Sequence, residues 1–167
     1  AAVSILDRTP YNVRARLAFP MLEDPVRMVR IEAARVLAAI PTGDLDPERR
    51  ALLTRVGNEY IAAQMASAER PEAWTNLGSF YVAKRDWRKA IEAYRKAIET
   101  DPVFVPSYIN FADLYRILGD EANAEKVLQE GLVHHEDDVT IHHTLGLSLV
   151  RQGRIDEALI ELAIATG

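Results

Sequence analysis

Residues 71–104 read PEAWTNLGSFYVAKRDWRKAIEAYRKAIETDPVF. Trp74, Leu77, Gly78 and Tyr81 fall at the i, i+3, i+4 and i+7 spacing that gathers four side chains on one helix face. Ala90, Tyr94 and Ala97 do the same in the second half, so the stretch predicts two helices packed across a turn at Arg85-Asp86. Advancing by 34 residues repeats the pattern twice. Trp74 leads to Tyr108 and His142, Leu77 to Phe111 and Leu145, Gly78 to Ala112 and Gly146, and Tyr81 to Tyr115 and Leu149. In the second helices Ala90 leads to Ala124 and Ala158, Tyr94 to Leu128 and Leu162, and Ala97 to Gly131 and Ala165. Small residues therefore recur where paired helices must approach closely. Gly119 and Gly153 stand where the first helices must end in a left-handed residue. Arg85 takes that place in the first unit, and a slightly different turn is expected there. Asp86 and Asp120 are placed to cap the second helices.

The signature W-x2-L-G-x2-Y followed by Ala90, Tyr94, Ala97 and Pro102 resembles the tetratricopeptide repeat. Complete repeats occupy 71–104 and 105–138, and a truncated third occupies 139–167. The resemblance implies an all-α fold, a right-handed α-solenoid or superhelix of antiparallel helix pairs. It also implies a protein–protein interaction scaffold that holds a peptide or protein segment on its concave side. The inward positions of the first helices map onto Glu72, Thr75, Asn76 and Ser79, then Ile109, Asn110, Asp113 and Arg116, then His143 and Thr144. Asn76 and Asn110 suit an extended peptide backbone, since an amide both donates and accepts. Family members that clamp a chaperone's terminal carboxylate use Lys and Arg beside Asn. Here Glu72, Thr75 and His143 stand at such places, so a neutral or weakly basic peptide is the better fit. Ile160, Leu162 and Ile164 leave an apolar face on the last helix. A terminal repeat needs a polar cap, so either the native protein is expected to continue or this end to pair with another chain, self-association included.

Upstream, Tyr11–Glu23 predicts a helix that Pro20 kinks or stops, and Asp24-Pro25 a helix start running to about Ile40. The string Asp24-Pro25, Val29-Arg30, Ala33 and Leu37 resembles a HEAT repeat over residues 1–46, in which Arg30 leans back on the Asp24 turn. Arg27, Arg30 and Arg35 otherwise read as a solvated helix face. Asp46-Pro47 opens a long helix to about Ala68. Tyr60 and Ala63 lie 34 residues before Tyr94 and Ala97, which makes 47–70 the second helix of a degenerate repeat. Val3, Ile5 and Leu6 suggest the tail of a helix broken by Thr9-Pro10. With no initiator Met at Ala1, the chain reads as a piece of a longer protein or a processed one.

Composition narrows the functional classes. There is no cysteine, so disulfides, thiolate zinc and iron–sulfur sites are out. Residues 1–70 carry 10 basic and 9 acidic side chains, a balance of +1, and residues 71–167 carry 10 and 16, a balance of −6. Neither stretch offers the positive field that phosphate backbones require, so no nucleic acid is expected as partner. No apolar run is long enough to span a membrane. The pairs His134-His135 and His142-His143 cannot each give two ligands to one metal, and His142 sits at a core position. No nucleophile–base pair, phosphate loop or HExxH motif is present, so the expectation is no enzyme, no metal and no cofactor. Compartment is left open between cytoplasm and periplasm. HEAT-like helices running into tetratricopeptide repeats also resemble the tail of some bacterial multihaem c-type cytochromes. That resemblance implies an accessory region packed on its own upstream domain.

Overall fold

The computed structural model describes residues 11–167, and the helix tail and break expected over residues 1–10 lie outside them. The described residues form helices joined by short turns: α1 (Tyr11–Ala18), α2 (Arg27–Leu37), α3 (Pro47–Met65), α4 (Pro71–Ala83), α5 (Trp87–Thr100), α6 (Val105–Ile117), α7 (Glu121–His134), α8 (Val139–Arg151) and α9 (Ile155–Ile164). They fall into two compact units. Of the described residues, unit 1 holds those up to Ser67 together with Phe80–Asp86, and unit 2 holds Ala68–Ser79 and Trp87–Gly167. The division runs through α4 rather than along the repeat boundary at Pro71.

In unit 1 the apolar stripes of α2 and α3 close on Ala18 and Leu22 around Ala33, Ala34, Val36, Leu37, Leu53 and Val56. Pro20 acts as expected. The α-helix stops at Ala18 and the chain tightens into a 3-10 turn over Phe19–Glu23, a form in which the proline costs no i→i−4 bond. Asp24 corrects the expectation at the next start. Its Oδ1 accepts from the Val26 amide at 2.8 Å, two residues on, so it closes a turn and the helix begins only at Arg27. Helix α2 also ends at Leu37, short of Ile40, and α3 at Met65, short of Ala68. Asp46 caps α3 as expected, accepting from the Arg49 amide at 2.8 Å. Arg30 does lean back on the preceding turn. Its Nη1 donates to the carbonyls of Asp24 at 2.9 Å and Pro25 at 3.2 Å, while Nη2 donates to Glu59 of α3 at 2.8 Å. Tyr60 stacks on Phe80 with ring centroids 4.7 Å apart, and burial pushes its phenol pKa up to about 12.

Unit 2 is built of packed neighbours: α6 on α7, α8 on α9, α5 on α6 and α7 on α8, with the first helices α6 and α8 also in contact. The recurrent small residues do what the pattern implies. A Cβ on Gly78 would collide with the Tyr94 ring, and one on Gly146 would lie 2.7 Å from Leu162 Cγ. Position four of each repeat plays a second part beyond filling the core. Trp74 Nε1 donates to Ala68 O at 2.7 Å, Tyr108 Oη to Pro102 O at 2.8 Å, and His142 Nε2 lies 2.7 Å from Glu136 O. Each reaches the carbonyl six residues upstream and ties the helix start to the turn that leads into it.

The turn at Arg85 is not different from its counterparts. Its φ is 57°, against 75° at Gly119 and 76° at Gly153. The amides of Asp86, Asp120 and Arg154 reach the carbonyls of Tyr81, Tyr115 and Leu149 at 2.9, 2.9 and 3.0 Å, the 6→1 bond of a Schellman motif in every case. Asp120 caps α7 by accepting from the Asn123 amide at 3.1 Å, and Asp138 likewise caps α8 through Ile141 at 2.9 Å. On α9, Ile155, Leu159 and Ile160 are 50, 60 and 61% exposed, and Ile164 is 43% exposed. Leu162, expected on that open face, is half-buried against Gly146.

Candidate interaction surface

The first helices of the repeats carry the residues expected to face inward, and within unit 2 the start of α4 and helices α6 and α8 are neighbours. Thr75 Oγ1 on α4 meets Ser107 Oγ on α6 at 3.0 Å, and α6 in turn packs on α8. Thr75 itself is lost to a ligand. It is 6% exposed, and its hydroxyl also donates to Pro71 O at 2.9 Å, so it glues one first helix to the next. The signal for this was Ser107, a small polar residue near the start of α6 that is fully buried. A buried hydroxyl needs a partner, and Thr75 is that partner.

The remaining inward residues sort by what they already hold. Asn76 and Ser79 are exposed on α4, and Ser79 Oγ reaches both Thr75 O and Tyr94 Oη at 3.1 Å. Glu72 is paired with Arg70 at 3.2 Å. Its carboxyl is held below the usual carboxylate range first by its own backbone amide and then by that arginine. On α6, Ile109 and Asn110 are half-buried, and Asn110 makes no side-chain hydrogen bond among the described residues. Asp113 and Arg116 neutralise each other at 2.9 Å, one turn apart. On α8, His143 is exposed and the Thr144 hydroxyl turns back to Thr140 O at 2.7 Å. Arg151 is claimed by Glu121 of α7 at 2.6 Å.

Beside these paired charges and His143, the α6 and α8 faces also expose large aliphatic side chains. Ile117 is 50% exposed, Leu147 41% and Val150 43%. Large aliphatic side chains clustered on neighbouring helices, rather than scattered, mark a surface that another molecule can cover.

Beside this face lies a polar network with no precursor in the repeat pattern. Glu121 accepts from Ser148 Oγ and Arg151 Nε, both at 2.6 Å, and Glu125 accepts from Gln152 at 3.1 Å and Arg154 at 2.6 Å. Arg154 also forks onto Glu157. Burial works to raise the pKa of Glu121, but the hydrogen bonds from Arg151 and Ser148 outweigh it and leave the carboxyl below its ordinary value. Elsewhere, a cleft of about 1020 Å³ in unit 1 is floored by Phe19, Ile40, Leu45 and Leu52, with Arg16, Arg49, Glu23 and Glu48 at its rim. Its opposing charges balance. No cluster of three potential metal ligands occurs among the described residues, and no described helix is long and apolar enough to cross a membrane.

Packed helix pairs recurring at one interval, with their first helices in lateral contact, define the class: an all-α solenoid. Comparison with known proteins identifies the repeat. Tetratricopeptide-repeat family models match residues 71–104 and 93–126. Among solved structures, the crystal structure of MamA protein is 19% identical with a TM-score of 0.56, covering 92% of this chain and 88% of that one. A thermophilic tetratricopeptide protein of Thermus thermophilus is 21% identical with a TM-score of 0.54, covering 92% and 89%. At these identities the likeness is one of fold. Comparison with curated protein sequences finds no match. Residues 71–126 thus carry tetratricopeptide repeats, and the solved structures share the all-α solenoid fold in which they are set.

Proposed function

We propose that unit 2 binds a protein or peptide segment along the inner faces of α4, α6 and α8. Asn76 and Asn110 would meet the segment's backbone, and Ile109, Ile117, Leu147 and Val150 its side chains. The observation that carries this reading is the exposure of Ile117, Leu147 and Val150 on helices in mutual contact, next to an Asn110 whose amide has no hydrogen-bond partner among the described residues. Glu72, Asp113, Arg116 and Arg151 are already paired, so the surface favours a neutral segment with aliphatic side chains. Ser79, His143 and Thr144 line the same positions as subsidiary polar contacts. Thr75, buried and bonded, drops out of the set.

A peptide array probed with the whole chain tests the reading. The best peptides should lose about tenfold in affinity on Leu147→Glu, and less on Asn110→Ala. One buried hydrogen bond is worth about 0.5–1.5 kcal/mol, whereas a charge set into an apolar contact costs more. Affinity should also change little between low and high salt, because no unpaired charge is called on. Binding unchanged by both substitutions places the ligand elsewhere.

A further inference from the structure

His142 stands where the other repeats carry Trp74 and Tyr108, and it repeats their bond to the carbonyl six residues upstream. A carbonyl oxygen only accepts, so the contact of Nε2 with Glu136 O at 2.7 Å requires the hydrogen to be on Nε2. The other ring nitrogen, Nδ1, lies 2.6 Å from Glu161 Oε2 on α9. A neutral ring protonated on Nε2 presents a bare lone pair at Nδ1, and an ionised carboxylate likewise only accepts. Two acceptors at that distance repel, so the geometry requires one more proton between them. The ring is 6% exposed, leaving little water to take that proton's place. Tryptophan and tyrosine at this position make one bond and reach no carboxylate. Histidine makes two, and the second crosses to the last helix.

We propose that the proton shared by His142 and Glu161 is a latch holding α9 on α8, and that the last helix pair opens more readily once the proton leaves. Besides Glu161 on α9, the charge acting on the ring is Asp137 in the turn between α7 and α8. Both are negative and favour the proton, and no charged group of α6 or α7 adds to them. Burial is the largest single influence and pulls the ring's pKa down, but Glu161, the Glu136 carbonyl and Asp137 together carry it above the ordinary 6.5. The latched pKa is thus higher than the opened one. The stabilisation is fully present below the ordinary histidine value and is lost as pH rises through the raised one. Opening uncovers the packing of Gly146 against Leu162 and the buried Ala158. The latch also adjoins His143 and Thr144, so pH would tune that end of the proposed binding face. This last consequence alone rests on the binding reading.

Nitrogen-detected NMR of the imidazole and amide hydrogen exchange, both on the whole chain between pH 5.5 and 8.5, test the latch. Both ring nitrogens should be protonated at pH 5.5, and the ring should lose its second proton only above the ordinary 6.5. The protection factors of α9 amides, compared with those of α6, should fall as the ring deprotonates, by about tenfold for each unit separating the latched and opened pKa values. Glu161→Gln supplies an N–H to the bare Nδ1 and satisfies the neutral ring without the proton. It should bring the His142 pKa below 6.5 and remove the pH dependence of α9 protection. A wild-type ring that titrates at or below 6.5 overturns the proposal whatever the variant does. So does a Glu161→Gln chain whose α9 protection keeps the wild-type pH profile. Peptide binding enters neither readout, so failure of the latch and failure of the binding reading are separable.

Discussion

At Arg85 a long side chain occupies a backbone conformation its neighbours in the repeat series give to glycine. The left-handed φ of 57° there, with the same 6→1 hydrogen bond as at Gly119 and Gly153, shows that the packed helices dictate the turn and the residue accommodates. A non-glycine residue in that region costs roughly 1–2 kcal/mol, and glycine returns about 0.5–1 kcal/mol of that as extra chain entropy in the unfolded state. Arg85→Gly should therefore stabilise the protein by about 0.5–1 kcal/mol, seen as a higher urea midpoint with an unchanged slope. Gly119→Arg should move the midpoint the other way by a similar amount, since a Cβ at that residue meets nothing within 4 Å and only the backbone is strained. At this scale the sequence was misleading in one place and silent in another. Arg85 looked like a departure from the turn and is not one. Thr75 looked like a ligand position, and only the burial of Ser107 shows its hydroxyl to be already engaged.

Between helices, the repeats use two chemistries on one geometry. The turn-proximal positions of α7 are Glu121 and Glu125, and they grip Ser148, Arg151, Gln152 and Arg154. The corresponding positions of α5 are Trp87 and Ile91, and of α9 Ile155 and Leu159, all apolar. The ionic network was therefore invisible to periodicity: among the described residues it occurs once, and its partners on α8 and in the turn after it lie 27 to 30 residues from the glutamates of α7. Removing Glu121 leaves the Ser148 hydroxyl, fully buried, with no acceptor. Glu121→Ala should cost about 1–3 kcal/mol, the penalty of an unsatisfied buried polar group. Because the folded carboxyl titrates below its ordinary 4.5, the contribution is present above that value and lost as pH falls through the depressed one. The gap between variant and wild type should thus narrow in acid by the part that ionisation supplies, measured by urea denaturation from pH 6 downward, while the Ser148 part remains because a protonated carboxyl still accepts from the hydroxyl. A cost that persists unchanged at the lowest pH would point to lost packing instead of lost ionic bonds. What the periodicity did reveal was where helices touch, since Gly78 and Gly146 sit against Tyr94 and Leu162.

For the whole chain, legibility follows repetition. Residues 71–167 repeat themselves, so their helix pairs, small residues and turns could be read by superposing the chain on itself. Residues 1–70 match the repeat only faintly, at Tyr60 and Ala63, and boundaries there moved by two or three residues, at the Asp24 turn and at the ends of α2 and α3. Within that stretch Arg30 is bonded back to the Asp24 and Pro25 carbonyls. The distribution of exposed aliphatic side chains is also a property of the chain taken whole. Four of them fall in the ten residues of α9: Ile155, Leu159, Ile160 and Ile164. Water around such a face is released when a second copy covers it, at about 25 cal/mol per Å² of apolar surface. Four partly exposed side chains make a contact well below the roughly 800 Å² per partner of a stable dimer, so the association should be weak and reversible. Sedimentation equilibrium should accordingly show a weight-average mass that rises with concentration above the 18.7 kDa monomer. Leu159→Glu should hold the mass at the monomer value while leaving the urea midpoint unchanged, because that side chain is 60% exposed in the fold. Association that survives the substitution would place the self-contact on another face, and a constant monomer mass in the wild type would remove it altogether.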